Sequence, residues 1–153
     1  MPELSSVDRK ANPPRVDFPR QYNAAYDLIE RNLRAGRADK IAFIDDAGSY
    51  SYGELAKRAN RFANAIIALG VQPEQRVLLC MVDTIDWPVA FLGSILAGVI
   101  PVAVNTLLTT DDYEYMLRDS RARALLVSDV LWPKLEPLMG KIAGLQHLSL
   151  IHI

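Results

Sequence analysis

Two pairs of polar residues stand where an open parallel sheet collects its ligands. Asp83 and Thr84 follow one apolar run, and Asn105 and Thr106 follow the next. Ligands of such sheets bind outside the carboxyl ends of the strands, so these four are candidate cofactor-binding residues. Asn105 has an alternative as a turn residue that bonds its own backbone. Asp83 and Asp86 can be read as a carboxylate pair, but Asp is among the preferred helix caps, which favours Asp86 as a cap. Other chemistries find less support. The segment GSYSYG at 48–53 has two glycines at phosphate-loop spacing, yet Glu54 and Leu55 follow where Lys and Ser or Thr are required. No G-x-G-x-x-G fingerprint occurs. The histidines His147 and His152 lie in the terminal run, away from Cys80, and do not make a zinc site. Ser94 in LGSILAG is not a nucleophile elbow and reads as a small residue packing a helix on a sheet. No catalytic and no metal-ligating residue is assigned from this pattern.

The elements that must position these residues centre on 87–110, WPVAFLGSILAGVIPVAVNTLLTT, which contains no charged residue. At that length a hydropathy scan reads a membrane span. The internal punctuation reads instead as two elements. A buried helix over 88–97 has Asp86 as cap, Pro88 in its first turn and Gly98 at its end. A buried strand over 100–104 is opened by Pro101. Asp83, Asp86, Asp111 and Asp112 flank the stretch without Lys or Arg at either border, so it lacks a basic anchor.

Upstream, residues 1–20 are polar and carry four prolines, Pro2, Pro13, Pro14 and Pro19, which predicts an extended or disordered leader. Tyr22, Ala25, Tyr26, Ile29 and Leu33 have helical spacing, and Gly36 ends that helix. A strand at 41–44, a turn at 45–48 and a return strand at 49–51 follow. Ser51 and Glu54 have the spacing of a capping box, and Leu55, Ala59, Phe62, Ile66 and Leu69 define one face of the next helix, closed by Gly70. A strand is expected at 76–82, a helix capped by Thr109 or Thr110 with Tyr113, Met116 and Leu117 inward, a strand at 124–127, a helix at 133–139 and a last apolar run at 148–153. Apolar strands alternating with amphipathic helices predict an α/β fold, a mostly parallel sheet with helices on both faces and right-handed crossovers. The chain stops in or just after a strand, which predicts an unfinished sheet edge and a truncated domain over 21–153. Whether the terminal SLIHI is native stays open.

The chain has 153 residues, half of them hydrophobic, which suits one domain with a sizeable core. Its net charge of −1 offers no electrostatic footprint for nucleic acid or an anionic membrane. A single cysteine forms no internal disulfide, and no signal peptide is evident; both suit a cytoplasmic protein.

Two segments resemble a known family. SYSYGELAKRANRFANAIIALGVQPEQRVLL resembles the first core motif of the AMP-forming acyl/aryl-CoA synthetase superfamily, the adenylate-forming ligases that include luciferases and peptide-synthetase adenylation domains. FLGSILAGVIPVAVNTLLTTDDYEYMLRDSRARALLVS resembles the second. DTIDWPVAFLGSILAGVIPVAVNTLLTTDDYEYML and the leader up to FPRQYNAAYDLIERNL look like the benzoate-CoA and hydroxybenzoate-CoA ligase branch. The resemblance implies that an aryl carboxylate attacks the α-phosphate of ATP, with Mg2+ accompanying the nucleotide, and that the thiol of coenzyme A then displaces AMP. It covers only the opening part of the family's large domain. The phosphate loop and its lysine, the aromatic-acid pocket, the ribose-binding acid and the mobile C-terminal domain with its catalytic lysine lie outside the matched part. The expectation is therefore an N-terminal portion that is inert alone and binds neither ATP nor CoA tightly. In some relatives a basic residue just after the equivalent of Asn105 helps hold coenzyme A; here Thr106, Leu107 and Leu108 occupy that place. Two alternatives stand beside this reading: a freestanding nucleotide- or acyl-binding module without catalysis, and an interaction protein whose open sheet edge pairs with another chain. Oligomeric state and the choice of aryl acid are left open.

Overall fold

The computed structural model describes residues 3–151. Strands β1 (Ser6–Asp8) and β2 (Arg15–Asp17) form an antiparallel hairpin, so the described part of the leader is extended. Helix α1 (Ala24–Arg34) follows, then the antiparallel pair β3 (Ile41–Asp45) and β4 (Gly48–Ser51) and the long helix α2 (Tyr52–Ala68). The remainder alternates: β5 (Arg76–Cys80), α3 (Asp86–Leu96), β6 (Ile100–Ala103), α4 (Thr110–Ser120), β7 (Ala124–Ser128), the single turn α5 (Trp132–Leu135) and β8 (His147–Ile151).

The last four strands form one parallel sheet in the order β6-β5-β7-β8. Helices cover both of its faces, and the alternation of side chains along a strand decides which residue meets which helix. Leu78, Cys80, Leu125 and Val127 pack with Tyr113 and Leu117 of α4 and Leu135 of α5. Val77, Leu79, Ala124 and Leu126 pack on the other side with Ile66 of α2 and Ala90 of α3. Pro101 lies on the edge strand β6, where a missing N–H costs no ladder bond on the open side. Helices α2 and α3 touch closely at Gly93: a Cβ there would sit 2.7 Å from Phe62 Cδ1 and 2.8 Å from the Ala59 carbonyl oxygen.

The reciprocal capping box of Ser51 and Glu54 is present, and Thr109 makes a second one with Asp112. Gly70 and Gly98 end α2 and α3 with φ of 82° and 75°, values open to glycine at little cost. Among the described residues no helix is long and apolar enough to cross a membrane, since Gly98 divides 87–110 into helix and strand.

Several details differ from expectation. Asp86 does not cap α3: the cap position is Ile85, without a side-chain bond, and Asp86 is the first helical residue. The reason is that Asp45 reaches across and accepts the Ile85 N–H at 2.9 Å, which advances the helix start by one residue. Asp86 still favours the positive helix end as a first-turn acid. Tyr22 precedes α1, whose cap is Asn23; the Asn23 Oδ1 accepts from the Tyr26 N–H at 3.0 Å. Leu69 is the C-cap of α2 and 51% exposed, because the helix ends before its face turns inward again. The helix at 133–139 is broken into α5 between two 3-10 turns, as Pro133 and Pro137 each remove a backbone donor. His152 and the end of the 148–153 run lie outside the described residues.

Candidate functional site

A half-open cleft of about 650 Å³ lies at the carboxyl end of β5, between the β3–β4 hairpin and the loop entering α3. Asp83 and Thr84 line it, as do Asp45, Asp46, Asp86 and Arg58. Asp45 holds the two walls together. Its Oδ2 accepts the Ile85 N–H, while its Oδ1 accepts the N–H groups of Ala47 at 2.9 Å and Gly48 at 3.1 Å. These donors, the Ile85 amide above all, hold the Asp45 carboxyl below the usual carboxylate range. With three amides on its oxygens Asp45 is a clasp and a poor proton acceptor. Tyr50 presents its ring to the Arg58 guanidinium, 4.9 Å from the centroid. Desolvation, helped by the neighbouring Asp45 charge, pushes the Tyr50 hydroxyl up. Thr84 makes the turn itself: its N–H donates to the Val82 carbonyl at 2.9 Å, and its own carbonyl accepts from Trp87 at 3.1 Å.

Asn105 and Thr106 follow β6, the neighbour of β5, but do not line this cleft. Asn105 Oδ1 accepts the Leu107 N–H at 2.8 Å, the side-chain turn expected of an Asn there. The Tyr113 hydroxyl donates to the Asn105 carbonyl at 2.8 Å, and Lys134 Nζ donates to the carbonyls of Thr106 at 3.3 Å and Leu108 at 3.1 Å. The loop after β6 is thus pinned from α4 and α5. Burial pushes both the Tyr113 hydroxyl and the Cys80 thiol above their ordinary values, so neither is ionised near neutral pH. Among the described residues no three His, Cys, Asp or Glu side chains gather as metal ligands.

The cleft does not fit a nucleotide polyphosphate. Four carboxylates (Asp45, Asp46, Asp83, Asp86) face one guanidinium, and a phosphate chain brought here meets net repulsion. The loop GSYSYG adds no cradle, as Gly53 lies within α2 and the Ser51 hydroxyl serves the Glu54 N–H at 3.2 Å. Sequence reasoning did not single out Asp45, Arg58, Tyr113 or Lys134 as holding these loops. The turn signature around Asp45 was visible, but its bond to Ile85 joins residues far apart in the chain.

The profile of the AMP-binding enzyme family matches residues 29–151. The chain belongs to this family. AMP-binding enzymes similar to it include a benzoate–CoA ligase of Thauera aromatica, 55% identical over 95% of this chain and 28% of the relative. A 4-hydroxybenzoate–CoA/benzoate–CoA ligase of Rhodopseudomonas palustris is 46% identical over 86% of this chain and 24% of its own. Among solved structures, a benzoate CoA ligase of Burkholderia xenovorans LB400 superposes with TM-score 0.77 at 49% identity, covering 86% of this chain and 26% of that one. An anthranilate CoA ligase in complex with anthranoyl-AMP superposes with TM-score 0.84 at 38% identity, covering 88% and 26%. The family match and both superpositions bear out the α/β fold and the resemblance to the benzoate–CoA ligase branch. The chain spans about a quarter of the length of the relatives it matches.

Proposed function

We propose that this chain is the N-terminal portion of an aryl-CoA ligase that converts benzoate or a related aryl carboxylate to its CoA thioester through an acyl-adenylate. The observation that carries this reading is the 55% identity to a benzoate–CoA ligase across 95% of the chain. Residues 21–153 would be the first part of the ligase domain and residues 1–20 a leader laid on it. Its role is structural: the parallel sheet and its pinned loops form the base on which the adenylating site is assembled. Small-molecule aryl acid, ATP with Mg2+, and CoA are substrates and cofactor of the whole ligase. The acidic cleft and the inert Cys80 and Tyr113 support a division of labour in which these residues position and do not react. A cytoplasmic setting is supported by the single, buried and unpaired Cys80.

A chimera tests the reading. The matching segment of the Thauera aromatica benzoate–CoA ligase is replaced by this chain, and benzoate-dependent AMP formation is followed. Activity within about tenfold of the parent is expected, because the chemistry is supplied elsewhere and positioning is retained. A folded, monodisperse chimera without AMP formation would sink the proposal.

A further inference from the structure

At the opposite end of the sheet from the acidic cleft, three arginines line a groove of about 300 Å³. Arg76, Arg121 and Arg123 line it together with Gln75 and Gly144, and no carboxylate does. The backbone sets this arrangement. Arg76 opens β5 and Arg123 directly precedes β7; the Arg123 N–H donates to the Arg76 carbonyl at 2.8 Å, which sets the two residues at one level. Arg121 ends α4 in the left-handed region, with φ of 53°, and is the third arginine of the lining.

The contrast with the arginines of the helices is direct. Arg31, Arg34 and Arg118 each pair with a carboxylate one helical turn away. Among the described residues none of the three groove arginines has such a partner. The Arg76 Nη1 donates to the Glu74 carbonyl at 3.4 Å and the Arg123 Nη1 to the Gly144 carbonyl at 3.3 Å, which leaves most of their donors unused. Like charges held side by side at the end of a sheet repel one another. The carboxyl end of α4 offsets only part of this, since a helix end carries about half a negative charge against three positive ones. Arg118 already occupies the last turn of α4.

We propose that this groove binds a small phosphate-bearing anion. Guanidinium forks match phosphate oxygens in pairs, and several around one anion supply its charge and its hydrogen bonds together. The volume lies at the small end of ligand pockets, which suits a pyrophosphate-sized group over a whole dinucleotide. The proposal does not depend on the ligase reading, since it concerns the other end of the sheet.

Calorimetric titration of the full chain with sodium pyrophosphate at low ionic strength tests it. Saturable binding with a dissociation constant below about 1 mM is expected. R121Q and R123Q should each weaken it about tenfold, the effect of losing one charged hydrogen-bond donor. R9Q, in the exposed leader, should leave it unchanged. R121Q alters an exposed side chain, and an unchanged circular dichroism spectrum would establish that its loss of binding is local. Inorganic phosphate should compete and acetate should not. Absence of saturable binding, equal binding by R9Q and both groove variants, or acetate competing as well as phosphate would each overturn the proposal.

Discussion

Strands β7 and β8 lie side by side in register, carry similar apolar residues, and have different surroundings. Leu125 of β7 is 0% exposed, whereas Leu148, its partner across the pair, is 45% exposed. Val127 is likewise 0% exposed and its partner Leu150 is 37%. The ladder is the same; the cover is not. Helices close over β5 and β7 on both faces, while along β8 an apolar groove of about 210 Å³ stays open, lined by Phe62 and Leu69 of the α2 segment and by Leu148 and Ile151. An apolar strand pattern thus selects a strand, and the packing of helices decides how much that strand stabilises.

Core truncation should separate the two strands most clearly. Leu125→Ala is expected to cost about 2–5 kcal/mol in urea unfolding, and Leu148→Ala under about 1 kcal/mol, because only the first leaves a closed cavity. Equal costs would break the contrast. Gly93→Ala should come next, at about 1–3 kcal/mol, since the new methyl meets the Ala59 carbonyl as well as the Phe62 ring and forces α2 from α3. A thermal shift below that of an exposed Ala substitution would show that the helices yield freely.

The contact between the leader and α1 gives a pH-dependent effect of similar size. Asp27 of α1 is 4% exposed; it accepts the Ser5 N–H at 3.0 Å and pairs with Arg31 at 2.6 Å. Although desolvation opposes ionisation, bonds from Ser5 and Arg31 win and lower its carboxyl to about 2. A depressed folded value gives stability that is present above the unfolded value, near 3.8, and lost as pH falls toward about 2. Asp27→Asn should cost about 1–3 kcal/mol at neutral pH and flatten this acid limb, read by unfolding at pH 7 and pH 3. An unchanged acid limb would mean that other carboxylates carry it.

What was legible in the sequence follows the same division between local and distant bonds. Capping boxes, glycine stops and the apolar runs of β5 and β7 are settled by neighbours in the chain; the capping box at 51–54 read correctly for that reason, and the strand expected at 76–82 is present but ends at Cys80. The cap of α3 did not, because Asp45 of the hairpin takes the Ile85 N–H and displaces Asp86 from the role its type suggests. Lys134 holding the Thr106 and Leu108 carbonyls left no mark in spacing or composition. Asp83 and Thr84 were found by the rule of strand ends and do line a cleft, yet the carboxylates around them come from a separate hairpin that no local pattern brings near.

We propose that this chain underlies adenylation in a longer ligase without performing it. Incubating the purified chain with benzoate, ATP, Mg2+ and CoA, beside the Thauera aromatica ligase, measures this through AMP release. Benzoate-dependent AMP is expected from the longer enzyme and none above background from this chain. Benzoate-dependent turnover by the 153-residue chain itself would contradict it.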